Sequence, residues 1–393
     1  KKDIPALVGR YRSLSNFVYS ARLVLRYLAD RLTHVRGTRL LMGNALVAML
    51  YASLRDLGVS IQFESRLERL IGTSAAITGA QFSRHGLCWT VRARKGVVLA
   101  GGGLGRNASL RRRHLPEGGR THSLAAAEVE GDTLEAAMAI GARMSADEHL
   151  TPSFWSPVSR VPGMPGGGLF PHLLLDRAKP GLIAVDGSGG RFTDESRSYH
   201  DFVLAMLRTP LTQQRWYLVC DADFIRKYGL GYVHPGASLR PHLRNGYLQS
   251  GRSLADLARA ISVDPVQLEA AVEQNNRAAA SGVDEHHGKG TTTVGRFNGD
   301  PQHGPNPCIG PIRKAPFFAM QVFPADIAAS AGLDTDAEAR VLAEDGEPIP
   351  GLYACGNDMA SVFRGTYPGP GTTLGPAMTF AYLAAQHIAR RTS

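Results

Sequence analysis

Gly365-Thr366-Tyr367-Pro368-Gly369-Pro370-Gly371-Thr372-Thr373-Leu374-Gly375-Pro376 follows the run Gly351-Leu352-Tyr353-Ala354-Cys355-Gly356-Asn357-Asp358 and precedes an Ala-rich stretch from Ala377 to Ala389. The order reads as strand, loop, helix. Pro368 and Pro370 fix φ and remove two donors from the loop. Gly369 and Gly371 permit a tight path and close approach to a ligand. The N–H groups from Gly371 to Gly375 then open at a helix N-terminus, an end that favours anionic or electron-rich groups. Tyr367 beside Gly371 is a candidate pair for polarising a carbonyl, one phenol donor with one backbone donor. The alternative is a tyrosine packed in a Pro-rich turn.

The Tyr-Pro-Gly-Pro-Gly segment resembles the FAD-binding 3-ketosteroid dehydrogenases and their relatives in the fumarate reductase flavoprotein superfamily. Three further segments carry the resemblance. Arg191-Phe192-Thr193-Asp194-Glu195-Ser196-Arg197-Ser198-Tyr199 is similar to the family's Arg-Phe-x-Asn-Glu-Ser-x-x-Tyr. Lys95 to Gly102 is similar to its strand ending in Ala-Thr-Gly-Gly. Arg36-Gly37-Thr38-Arg39 with Gly43-Asn44-Ala45-Leu46 is the last.

The resemblance implies an α/β chain: a Rossmann-like FAD-binding domain with an inserted α+β substrate or capping domain. It covers essentially all 393 residues but not the family's opening Gly-x-Gly-x-x-Gly. Lys1 to Pro5 cannot supply that motif, so the nucleotide-binding domain is expected to be incomplete here. The implied reaction is α,β-dehydrogenation of a steroid-like ketone. Tyr199 takes the proton beside the carbonyl, hydride goes to flavin N5, and Tyr367 with Gly371 holds the oxygen. Implied cofactor contacts are Ala100, Gly101, Gly102, Asn107, Asp132, Gly356, Asn357, Thr373 and Leu374. The nearest competing reading is a fumarate reductase-like enzyme acting on a dicarboxylate. That chemistry would place Arg where Tyr199 stands. A third reading is a flavoprotein remnant without activity. The electron acceptor is left open.

One departure from the family lies in Pro324-Ala325-Asp326-Ile327-Ala328-Ala329-Ser330-Ala331-Gly332-Leu333. Alanines stand where the family often has glycines at the flavin edge.

Composition sets the class. With 44% hydrophobic and 20% charged residues, the chain is globular. The net charge of +10 is scattered apart from Arg111-Arg112-Arg113, without the aromatic-interleaved stripe of a nucleic-acid binder, so no nucleic-acid partner is expected. Cys88, Cys220, Cys308 and Cys355 form no Cys-x-x-Cys. Free thiols fit a reducing, cytoplasmic setting. His286 and His287 lack the spacing of a metal site, and none is expected.

Apolar periodicity predicts helices over 11–35, 45–57, 133–142, 253–261 and 265–278, with Ser253 and Asp264 as N-caps. Alternation predicts strands at Val59–Phe63, around Ala76–Phe82, at Cys88–Ala93 and at Gly96–Ala100. Pro and Gly accumulate through Pro152, Pro157, Pro162, Pro165 and Gly166–Gly168, marking a boundary. The expected domains are 1–150 and 315–393 for FAD, and 151–314 for the substrate. Gly282 to Pro311 reads as irregular surface.

Several polar residues have two readings. Glu195, Arg197 and His200 are either a proton relay or a salt-bridged turn. Asn357 and Asp358 either reach a ribityl chain or cap a turn. Gly101-Gly102-Gly103 either touches a cofactor or simply turns. His172 and Trp155 line a pocket or fill the core.

Overall fold

In the computed structural model, residues 3–11, 13–145, 150–164, 168–174 and 176–391 are described. Pro165, Gly166 and Gly167 of the expected boundary lie outside them, as do Lys1 and Lys2 at the start. Contacts divide the chain into two compact units, Lys1–Ser65 and Arg66–Ser393.

The first unit is helical. Leu14–Thr33 starts at Ser13, whose hydroxyl accepts from the Asn16 N–H, and Met42–Asp56 follows. Tyr19 donates to Asp3 at 2.6 Å, and Arg39 pairs with the same carboxylate at 2.9 Å. The periodicity that forms the first long helix leaves Leu25, Leu28 and Leu32 exposed. The alternating Val59–Phe63 forms no strand: alternation supplies two faces, but among the described residues no neighbouring strand completes a ladder with this segment.

The second unit opens with a three-stranded antiparallel meander, Arg66–Thr73, Ala76–Arg84 and Leu87–Arg92. Its first strand escapes periodicity because two irregularities interrupt the register. Strand Val97–Leu99 then runs parallel to Pro348–Ala354, with Leu99 opposite Ala354.

A seven-stranded sheet is built on the 13-residue strand Phe317–Ala329. Its first half pairs with Trp216–Cys220, and its second half with Ser153–Arg160. The two helices predicted at 253 and 265 form as Leu254–Ile261 and Pro265–Ser281, capped by Ser253 and Asp264. They cover Ile183, Val185, Tyr217, Val219 and Ala319 with Leu257, Ile261, Leu268 and Val272. Burying an aliphatic side chain of this kind contributes about 1.5–3 kcal/mol.

Gly282–Pro311 differs from its sequence reading. It lacks apolar periodicity, yet it contains helix Thr293–Asn298 and buries Lys289 and Cys308. The segment is ordered by polar contacts, which hydropathy does not register. Among the described residues, no helix is long and apolar enough to cross a membrane.

Candidate active site

Val97–Leu99 and Pro348–Ala354 end at the same edge of their sheet because they are parallel. Ala100–Gly103 and Cys355–Asp358 therefore leave it side by side, at the carboxyl ends where open α/β sheets place ligands. Asp358 joins the two turns. It is fully buried, and its carboxylate accepts the Gly101 N–H at 2.6 Å and the Gly103 N–H at 2.7 Å. Burial pushes its pKa up against these hydrogen bonds, which favour the anion. Gly103 has φ +84°, and a Cβ there would lie 2.5 Å from the Asn357 carbonyl oxygen. The glycine run is thus first a close crossing of two backbones.

Tyr199 lies at the start of helix Tyr199–Arg208, whose cap Ser198 accepts the Asp201 N–H. Tyr367 lies in the Pro–Gly loop before helix Leu374–Arg390. Their hydroxyls are 2.5 Å apart. Phe154 packs against Tyr367 with centroids 5.4 Å apart, and the His200 ring stacks on it at 5.6 Å and 26°.

His200 is fixed at both nitrogens. Nδ1 accepts the Trp155 N–H at 3.2 Å, which requires the proton on Nε2, and Nε2 donates to the Gly365 carbonyl at 3.0 Å. Burial lowers its pKa and keeps it neutral. It braces the tyrosine loop and has no nitrogen left for a relay.

Glu195 belongs to a buried ion cluster. Arg191 reaches it at 3.0 Å, Lys289 at 3.1 Å, and Arg191 also pairs with Asp284 at 2.9 Å. Burial pushes the Glu195 carboxyl up, but Arg191 and Lys289 overcome this and hold it at about 2. Arg197 points outward, 3.9 Å from Asp194. Glu195 and Arg197 thus follow the salt-bridged alternative, His200 joins neither reading, and the cluster fixes the segment that leads into Tyr199.

A cleft lies between the loops, lined by Phe154, Ala329, Gly356, Asn357, Thr372 and Thr373. Gly371 has φ +102° with open space where a Cβ would stand. The N–H groups of Gly371, Thr373 and Leu374 donate to nothing among the described residues. They form a donor set at the start of a 17-residue helix. Ala100 and Gly101 are exposed at the strand end, with Gly102 half-buried behind them.

Two predicted contacts are otherwise engaged. Asn107 caps helix Ala108–His114 and donates to Glu130 and Glu135. Asp132 pairs with Arg66 at 3.3 Å. Trp155 and His172 are fully buried. The indole N–H donates to Thr151, and His172 sits between Asp176 and Ser159.

Phe154 has no chemical signature by which the sequence places it in the cleft, whereas Ala329 and Thr372 belong to segments already read as lying beside a ligand. Alanine at position 329 projects its methyl beside Gly103. The nearby Asp326 is anchored by Arg111 at 2.5 Å and Ser123 at 2.8 Å.

Residues 10–374 match the family model described as FAD binding domain. The chain is 36% identical over 398 residues to 4-oxocyclohex-2-ene-1-carboxylate 5-dehydrogenase of Sinomonas cyclohexanicum, covering all of this chain and 67% of that protein. It is 33% identical over 363 residues to 3-oxosteroid 1-dehydrogenase of Mycobacterium tuberculosis strain H37Rv, covering 88% and 63%. The crystal structure of 3-ketosteroid delta1-dehydrogenase from Sterolibacterium denitrificans, in complex with 1,4-androstadiene-3,17-dione, superposes with a TM-score of 0.88 at 36% identity, covering 98% and 70%. The chain thus spans about two thirds of the length of these relatives.

Proposed function

The chain belongs to the FAD-binding flavoprotein family of the 3-oxosteroid dehydrogenases, and on that premise we propose that it dehydrogenates a cyclic ketone at the carbons α and β to its carbonyl. The cleft's residues suit the family's cofactor. The free N–H groups of Thr373 and Leu374 at a helix start suit an electron-rich group, and the residues at 329 and 356 that line the cleft are small. Gly356, Asn357, Thr373 and Leu374 would hold FAD here. When bound, FAD supplies the two-electron acceptor that such a reaction requires.

The chain's own residues divide the remaining work. The Tyr367 hydroxyl and the Gly371 N–H hold the ketone oxygen, stabilising the negative charge that builds there as the α-carbon loses its proton. The Tyr199 oxygen, in its phenolate form, receives that proton and becomes the neutral phenol. Residues 151–314, which carry Tyr199, serve as the substrate-side cap together with Phe317–Ala329, the strand expected on the cofactor side but on which their sheet is built, and the chain returns to the cofactor side with Pro348–Ala354. The observation carrying this reading is the 2.5 Å contact between the Tyr199 and Tyr367 hydroxyls. A base and an electrophile for adjacent atoms of one ketone must be neighbours, and this contact brings the two hydroxyls together from distant parts of the chain.

The substrate class is a ring ketone, since the relatives' names share a cyclic oxo compound. The test is reduction of an artificial electron acceptor by saturated 3-ketosteroids and by 4-oxocyclohexanecarboxylate, with the conjugated enone as product. Enone formation from either supports the proposal. Fumarate reduction without it would replace this reading with the dicarboxylate one.

A further inference from the structure

A neutral phenol is a poor proton acceptor, and the site makes Tyr199 harder to ionise. Burial pushes its pKa above the ordinary range, and the neighbouring Tyr367 pushes in the same direction. Something must favour the charged form, and one buried cation stands in the right place.

Arg177 is 3% exposed. Its Nε donates to the His172 carbonyl at 2.8 Å, Nη1 to those of Glu195 at 2.9 Å and Arg197 at 3.3 Å, and Nη2 to that of Leu173 at 3.2 Å. All these acceptors are neutral. No carboxylate pairs with the guanidinium among the described residues, whereas the neighbouring Arg191 has two. The guanidinium lies 4.8 Å from the Phe202 ring centroid. Phe202 is one turn from Tyr199 on the same helix, so the two share a face, and the Arg197 carbonyl is two residues ahead of Tyr199. Arg177 therefore sits under the first turn that presents the phenol.

We propose that Arg177 is a positioning residue acting through Tyr199: its buried charge, tied down by four backbone carbonyls, supplies the field in which the Tyr199 oxygen carries negative charge. Asp176, which accepts the Arg177 backbone N–H at 2.8 Å, Asp194 and Glu195 act on the guanidinium and help to keep it protonated, yet none forms an ion pair with it among the described residues. Glu195 is neutralised by Arg191 and Lys289, and Asp176 is bound to His172. Asp194 accepts from Ser196, Asp201 is exposed, and His200 stays neutral. Tyr367 contributes a hydrogen bond and no charge. Arg177 keeps its own proton at neutral pH, since burial lowers its pKa only to about 10.

The inference rests on the reading of Tyr199 as proton acceptor, but its test needs no turnover. A fluorinated tyrosine placed at position 199 of the full-length protein brings the phenol's titration into a mild pH range, and its fluorine resonance reports the midpoint. Arg177→Met should raise that midpoint by about one pH unit, a tenfold loss of phenol acidity. Arg177→Lys, which keeps the charge but loses the fork, should hold it within a few tenths. A merely structural arginine would leave the midpoint unmoved in Arg177→Met, and that result overturns the proposal. Should Arg177→Met not fold by circular dichroism, Arg177→Lys decides, and a full-unit rise there overturns it equally. Failure of the ketone reading would appear differently, as absent turnover with the midpoint shifts intact.

Discussion

The Tyr199 and Tyr367 hydroxyls meet at 2.5 Å across 168 positions of sequence. One sits on a helix start behind a buried ion cluster, the other in a Pro–Gly loop braced by His200. Neither support touches the reacting atoms in the proposed chemistry, so each can be weakened separately.

Tyr367→Phe removes one of the two donors proposed for the ketone oxygen. The expected outcome is a loss of about 10²–10³ in kcat, with flavin content unchanged because the phenol supplies none of the proposed cofactor contacts. Steady-state kinetics with a ring ketone, beside the flavin absorbance of the purified variant, checks both halves.

His200→Leu leaves the Trp155 N–H and the Gly365 carbonyl without partners. Each buried orphan costs about 1–3 kcal/mol, so thermal stability should fall and the Tyr367 loop should loosen. The pH dependence of the residual turnover should stay where it is in the wild type. A pH limb that disappears in this variant would restore the relay role that the geometry denies.

Glu195 makes stability depend on acid. Its folded pKa, held at about 2 against an ordinary 4.5, lies below the unfolded value. Its stabilising contribution is therefore complete above about pH 4.5 and is lost as pH falls toward 2. Glu195→Gln should flatten that part of the acid-unfolding curve. It should also lower stability at neutral pH by about 3–5 kcal/mol, because buried Lys289 loses its carboxylate and Arg191 keeps only Asp284. Denaturant titrations across that window measure both effects.

Asp358→Ala should weaken flavin retention without touching the tyrosines. The N–H groups of Gly101 and Gly103 would lose their common acceptor, and the two turns at the strand ends would separate. Measuring the flavin-to-protein ratio before and after dialysis, against Tyr367→Phe as control, checks this.

The sequence made local structure legible wherever local chemistry determines it. Ser253 and Asp264 act as caps because a short oxygen side chain can reach the next turn's N–H whatever the tertiary context. The loop around Tyr367 is readable because proline restricts its path and glycine permits the positive φ that its turns require. Val59–Phe63 misled because alternation does not by itself provide a partner strand. Lys289 and Arg177 were invisible because a buried cation is recognised only by the groups that close around it. Asp358 shows the same limit, since the N–H groups that donate to its carboxylate lie more than 250 positions away in sequence.

The central claim is that Tyr199 receives the α-proton. The most direct measurement is kcat of Tyr199→Phe with a saturated ring ketone and an artificial acceptor, using full-length protein whose flavin content matches the wild type. The account predicts a loss of about 10²–10⁴. Turnover within a few-fold of the wild type would contradict it.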